Sequence, residues 1–419
     1  MLLGQFAKVF ERSSYWRYWL AYTLSAIGFE LIVFVLMVVL FDRTKTALSM
    51  GTFTAIFMFC LVAFGPITGI CADRWERKNI FLICNALLAV LVLVTKYLQE
   101  AFWIYFLWFL ASLLFAFLRP ARVALITNLF SREDYFKANS AFTISLNLSK
   151  IGGPLIGGLL LISLPMEWVV NAIVSFFGLS LIAISTVPFR SSPLERSNPK
   201  RPSWNWRDST TGIFFLLAHR GLRFYVLLGM LRLLFLASQL PLFIVYIKTF
   251  LGGSTEDYSL FMTTLAIGGA MGSFIAGGIE NFLSRKTMIY GGLGASYLCF
   301  ALLPLYPTLL FALIMMGLSN LSLYIAHVAI HSDIQRMTPD EIRGKVFASS
   351  PILLIPIGLL SIFVATPLAD RIGVEWVFLF SGLLALSALP LPGYLSKSLE
   401  RIFRTSSRIG PDLSKSISP

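Results

Sequence analysis

Three ionisable side chains stand alone in long apolar stretches: Glu30 within residues 18–41, Lys150 within 138–164 and Arg232 within 224–247. At bilayer depth such groups are costly, and they mark routes for substrates, ions or protons. A carboxylate like Glu30 can carry a proton or meet a donor group on a ligand. Lys150 and Arg232 can hold an anionic group, or one of them can serve only to neutralise Glu30. Were the two bases and the acid to face one cavity, it would carry a net positive character, which suits an anionic or zwitterionic small molecule.

Other reactive residue types point away from catalysis. His327 and His331 share one helical face, with Asp333 close behind. A zinc site takes four ligands in defined geometry, so this group reads as a solvated helix end, with no metal bound. Cys60, Cys71, Cys84 and Cys299 lie in or beside apolar runs, which argues against a disulfide framework or a metal site. No phosphate-binding glycine-rich loop is present to support ATP drive. No catalytic constellation and no cofactor are expected; the chain reads as a non-enzyme.

The elements that position these groups follow from composition. Of 419 residues, 57% are apolar, 14% aromatic and 13% charged. A soluble chain carries about a quarter charged residues. Apolar runs at 18–41, 49–72, 80–99, 102–127, 138–164, 168–189, 224–247, 258–281, 287–305, 307–331, 346–368 and 374–395 each approach the length needed to cross a bilayer. The expected fold is therefore all-α, with about twelve transmembrane helices. The run at 18–41 is too long for a signal-peptide core and is expected to stay as the first helix.

The widest polar interval, Arg190–Asp208, divides six spans from six, and Ser209–Leu222 reads as an amphipathic interfacial helix. The expected organisation is an N-terminal bundle at 1–189, a cytoplasmic linker at 190–222, a C-terminal bundle at 223–396 and a tail at 397–419. Placing the N-terminus inside puts 27 of the 34 Lys and Arg on that side. Arg43, Lys45, Lys96, Lys248 and Arg371 fall outside, while Lys150 and Arg232 lie within spans. This bias predicts cytoplasmic termini. It also accounts for the formal net charge of +13 without a nucleic-acid partner.

The two halves repeat. The second span closes on Gly69-Ile-Cys-Ala-Asp73-Arg74-Trp-Glu-Arg77-Lys78, and the eighth on Gly277-Gly278-Ile-Glu280 followed by Arg285-Lys286. The first of these resembles the loop signature of the major facilitator superfamily, with Glu76 where glycine is usual. The resemblance covers nearly the whole chain. It implies two pseudo-symmetric six-helix bundles, related by an axis along the membrane normal as in parallel-repeat transporters. For Gly69, Asp73, Arg74, Arg77 and Lys78 it implies a conformational latch.

Arg119-Pro120-Ala121-Arg122 with Lys137-Ala138-Asn139-Ser140 resembles the branch of macrolide efflux proteins and the enterobactin exporter; lysophospholipid transporters share a related form. Arg119 and Arg122 read as interfacial anchors or interdomain pairs. Gly153-Pro154-Leu-Ile-Gly157-Gly158 is similar to the core of the antiporter motif, with Ser140 and Ser149 in place of its upstream glycines. Gly153, Pro154, Gly157 and Gly158 would make a bendable interface helix or an ordinary small-residue contact.

The implied activity is secondary active transport by alternating access. Proton-coupled export of a small amphiphile, drug-like or siderophore, is the leading expectation, with Glu30, Lys150 and Arg232 as the binding or coupling groups. Siderophore uptake, lysophospholipid movement and a non-transporting receptor or scaffold are the alternatives. The expected setting is the bacterial inner membrane, with lipid and a small-molecule substrate as partners, and the chain acting as a monomer.

Overall fold

The structure, a computed structural model, describes residues 13–97, 100–129, 135–188 and 206–396. The polar interval at 190–205 and the tail at 397–419 lie outside the described residues. A backbone inside hydrocarbon must satisfy its polar groups within its own segment, and helices do so. The described elements are accordingly helical. The first half comprises α1 (Ser13–Thr44), α2 (Ala47–Ala63), α3 (Gly65–Arg74), α4 (Arg77–Val94), α5 (Ala101–Leu129), α6 (Tyr135–Ser163) and α7 (Met166–Ser185). After α8 (Trp206–Ala218) come α9 (Arg220–Leu236), α10 (Gln239–Val245), α11 (Thr255–Ile279), α12 (Gly292–Leu302), α13 (Leu309–Met337), α14 (Asp340–Ile372) and α15 (Val374–Ala388).

Among the described residues, 10 helices are long and apolar enough to cross a membrane. Two shorter apolar helices, Ala47–Ala63 and Val374–Ala388, occupy the remaining places in the expected series of twelve. The short second span is continued by α3 beyond Phe64, where Gly65-Pro66 punctuates the helix and Pro falls in its first turn. The seventh pass is also interrupted: α9 ends at Leu236, α10 begins at Gln239, and a π-helical turn follows at Tyr246–Phe250.

Helix starts carry their own signals. Thr46 and Thr308 accept from Ser49 and Phe311 N–H groups, and Ser254 with Asp257 forms a complete capping box for α11. Gly373 joins α14 to α15 at φ 98, a left-handed backbone that a side chain would strain.

Each half is held by close helix contacts. In the first, α1 packs on α6 and α7, and α4 on α5 and α7. In the second, α13 packs on α11 and α12, and α12 on α15. A Cβ at Gly268, Gly272 or Gly292 would overlap the carbonyls of Gly317, Leu321 or Ser322 on α13, so glycine sets the separation there. The α8 helix lies against α9 and α14.

Between the halves, contact is carried chiefly by α6 with α11, α2 with α14 and α2 with α10. Lys248 pairs with Asp42 at 2.6 Å, the Tyr258 ring stacks on Phe34 at 5.3 Å, and Ser259 Oγ donates to the Pro154 carbonyl at 2.7 Å. Thr366 fits against Gly51, and the Asp370 carboxylate accepts the Ala47 and Leu48 N–H groups. These ties cluster where α1 ends and α2 and α11 begin, the face away from the α8 linker helix.

Candidate functional site

Glu30 is positioned by an absence. Gly153 of α6 faces it so closely that any Cβ there would overlap the Glu30 Cβ. One turn earlier on α6, Lys150 projects from the same helical face and is exposed. Lys150 and Arg122 are the cations near enough to Glu30 to act on it. Among the described residues, Glu30 forms no hydrogen bond and no ion pair of its own. A carboxylate held at bilayer depth beside two positive charges, with its oxygens unclaimed, is available to a proton or a donor.

Arg122 lies where the sequence alone does not put it. Expected as an interfacial anchor, it is buried, 3% exposed, inside the first half. Its helix continues for seven residues beyond it, to Leu129. Its Nη2 donates to Ser25 Oγ, which donates to Asn85 Oδ1, while Asn85 Nδ2 donates to the Phe81 carbonyl at 2.7 Å. The guanidinium lies over the Tyr22 and Phe115 rings at 5.3 and 5.6 Å, a cation–π arrangement. The Tyr18 hydroxyl donates to the Arg122 carbonyl at 2.7 Å. Hydroxyl, amide and aromatic faces thus surround this charge, and Glu30 is the acid that acts on it.

Across the gap, Arg232 of α9 lines a cavity of about 100 Å³ with Tyr225, His327, His331, Phe347 and Ser350. Lys150 of the first half is near enough to act on His327 of the second. Of the two histidines expected at a solvated helix end, His331 is exposed and His327 is not. His327 is half-buried, its ring 4.3 Å from that of His331, and His331 stacks on Phe347 at 5.9 Å. Among the described residues no group of His, Cys, Asp and Glu is arranged to hold a metal.

The loop signature is less closely packed. The Asp73 side chain lies outside the described ones, a Cβ at Gly69 would meet open space, and Arg74 is exposed. Lys78 Nζ donates to the carbonyls of Ser185 at 3.3 Å and Val187 at 2.8 Å, at the C-terminal end of α7, where a cation is favoured. Arg77 is also partnered. The second copy forms a charge network: Glu280 pairs with Arg285 at 3.2 Å and Arg336 at 3.6 Å, and Asp333 accepts from Tyr225 at 2.6 Å.

The glycine-proline run of α6 serves two surfaces. Gly153 and Gly157 meet Glu30 and Phe34 of α1, whereas Pro154 and Gly158 meet Ser259 of α11.

A family model described as Major Facilitator Superfamily matches residues 18–353. The chain belongs to the major facilitator superfamily. Among similar members, macrolide efflux protein A of Streptococcus pyogenes is 26% identical over 391 residues, 88% of this chain and 92% of that protein. The enterobactin exporter EntS of Shigella boydii is 24% identical over 297 residues, 67% of each. Similar solved structures include a bacterial homolog of the human lysosomal transporter Spinster, inward-facing and unoccupied, at TM-score 0.69 and 14% identity, covering 93% of this chain and 97% of that one. The nucleoside transporter NupG aligns at TM-score 0.73 and 14% identity, over 92% and 99%. This superfamily chain is a multi-pass membrane transporter and not an enzyme.

Within that superfamily frame, Glu30 and Lys150 come together in the first half, and Arg232 lines a separate cavity in the second. Arg122 is the residue that sequence reasoning undervalued. Its one signal was position: it falls inside the run 102–127, ahead of Val123-Ala-Leu-Ile126, which continues apolar.

Proposed function

We propose that the chain is a proton-coupled exporter of small amphiphilic molecules, drug-like or siderophore, working by alternating access in a bacterial inner membrane. The observation that carries this reading is Glu30: a carboxylate at bilayer depth with free oxygens, next to Lys150 and Arg122. A proton and a substrate donor group cannot occupy one carboxylate together. Substrate arriving at Glu30 from the cytoplasm displaces the proton, and a proton arriving from outside displaces the substrate. Mutual exclusion at one site yields antiport. The exporter relatives support the outward direction.

Both termini are assigned to the cytoplasm from the Lys and Arg distribution. On that assignment the sealed face, with its Asp42–Lys248 pair and the Asp370 cap, is the outer one, and the protein is inward-facing. Residues 1–189 and 223–396 are the rocking halves, joined by the linker at 190–222, with 397–419 as the cytoplasmic tail. Gly69, Asp73, Arg74, Arg77 and Lys78 are the latch that closes the cytoplasmic side. Gly153, Pro154, Gly157 and Gly158 form the interface helix on which the halves turn. Lys150 and Arg232 give the pathway its positive lean.

Inverted membrane vesicles with an imposed pH gradient test the reading. Proton-driven accumulation of a macrolide or a siderophore is expected in the wild type and lost in Glu30→Gln. Undiminished proton-driven flux in Glu30→Gln refutes the coupling role, and flux only in the opposite direction refutes export.

A further inference from the structure

Arg232 is a guanidinium without a counter-charge. Among the described residues it makes no hydrogen bond and no ion pair. The acid on the facing helix, Asp333, is engaged by Tyr225 and Arg285. Among the described residues, no carboxylate lines the cavity that Arg232 faces. The Tyr297 hydroxyl, fully buried and without a hydrogen-bond partner, acts on the same guanidinium, as does Tyr324.

A charged group at this depth needs an opposite charge or a dense set of hydrogen bonds. Among the described residues the protein offers neither. What it does offer is a recognition surface: five N–H donors on the guanidinium, imidazoles at His327 and His331, and the hydroxyl of Ser350. Apolar walls from Phe347 and Leu354 complete it. An arginine fork matches a carboxylate in two parallel hydrogen bonds. The cavity volume, about 100 Å³, admits that group with a short apolar stem or part of a ring.

We infer that this cavity between α9, α13 and α14 is the subsite for a carboxylate borne by the transported molecule, held by Arg232 with His327 and His331. This deepens the transport reading and rests on it: Glu30 in the first half meets a donor group, and Arg232 in the second meets an acid. The substrate class is then an amphiphile carrying both, with an aromatic or aliphatic body between. Each end contacts a different half, so a bound molecule bridges the two bodies that must move.

The test is equilibrium binding to the purified full chain in detergent, with 2-naphthoate and its neutral isostere 2-naphthamide as probes. Wild type is expected to bind the carboxylate at least tenfold more tightly than the amide. Arg232→Gln is expected to abolish that preference. Arg232→Lys, which keeps the charge but not the fork, should retain part of it. Equal affinities in the wild type, or a preference that survives Arg232→Gln, overturn the inference.

Should Arg232→Gln fail to fold, Ser350→Phe fills the cavity with the guanidinium retained. It is expected to lower carboxylate affinity at least tenfold, and unchanged affinity overturns the subsite. Binding needs no pH gradient, so the result separates from the vesicle experiment. Lost coupling with intact carboxylate preference refutes proton antiport alone, and the reverse outcome refutes only the subsite.

Discussion

The Asp370 carboxylate, at the end of α14, accepts the backbone N–H of Ala47 at 2.6 Å although 323 positions separate the two residues in the chain. Its second oxygen takes the Leu48 N–H at 2.9 Å. A helix start presents unpaired N–H groups and partial positive charge, so one acid meets both needs. The pair ties the first half to the second at the sealed face. Removing an N-terminal cap costs about 1 kcal/mol, or about a fivefold change in an equilibrium. Asp370→Ala is therefore expected to raise the population open at this face about fivefold. Maleimide labelling of Thr366→Cys, buried in the same seam, measures it in a background with the four native cysteines replaced by serine. An unchanged labelling rate would show that the cap does not hold the seam.

Ser25 stands between Arg122 and Asn85 and is fully buried. Ser25→Ala removes an acceptor from a buried guanidinium and a donor from a buried amide. Hydrogen bonds to charged groups are worth about 1.5–3 kcal/mol, so the variant should lose about that much stability. Unfolding of the purified protein in detergent by increasing SDS reads the loss. A variant as stable as wild type would mean that water replaces the hydroxyl.

Gly158 and Ser259 share space that a single methyl group would fill. Gly158→Ala is expected to destabilise the sealed state by about 1–3 kcal/mol, the usual range for overpacking. Ser259→Gly in the same chain should restore it. Gly178→Ala, where a Cβ meets nothing within 4 Å, is the control and should leave melting temperature and flux unchanged. A Gly158→Ala protein that melts and transports like wild type would remove close approach as the reason for glycine.

Lys78 ties the start of α4 to the last carbonyls of α7. Part of the side chain reaches solvent, so the global effect of losing it should be small. Lys78→Met is expected to speed amide exchange across residues 182–187 while the melting temperature stays constant. If exchange there does not change, the lysine is not what holds that end.

Much of this was legible in the sequence because hydrocarbon imposes a coarse rule. Apolar runs had to become helices, although the second, read as one span over 49–72, breaks at Gly65-Pro66. Glu30, Lys150 and Arg232 stood out because charge is conspicuous in such runs. Arg122 was misread for the same reason: with Arg119 it looks like the end of a span, although α5 continues to Leu129. Hydropathy also cannot tell which side of a helix meets a neighbour. The cap from Asp370 onto Ala47 and the pairing of His331 with Phe347 depend on how distant helices are brought together. The interruption of the seventh pass near Ala237-Ser238 precedes Pro241, which has no N–H for the Ala237 carbonyl, but it falls inside a run read as one unbroken span.

The glycines of the second half have a mechanical consequence. At Gly268, Gly272 and Gly292 the helices touch carbonyl to backbone, leaving no side chains between them to yield. Such an assembly behaves as a stiff lever. A tilt of about 10° along α13, about 43 Å long at the standard helical rise, moves its far end by about 7 Å. A displacement begun at one face is therefore delivered to the other without being absorbed on the way.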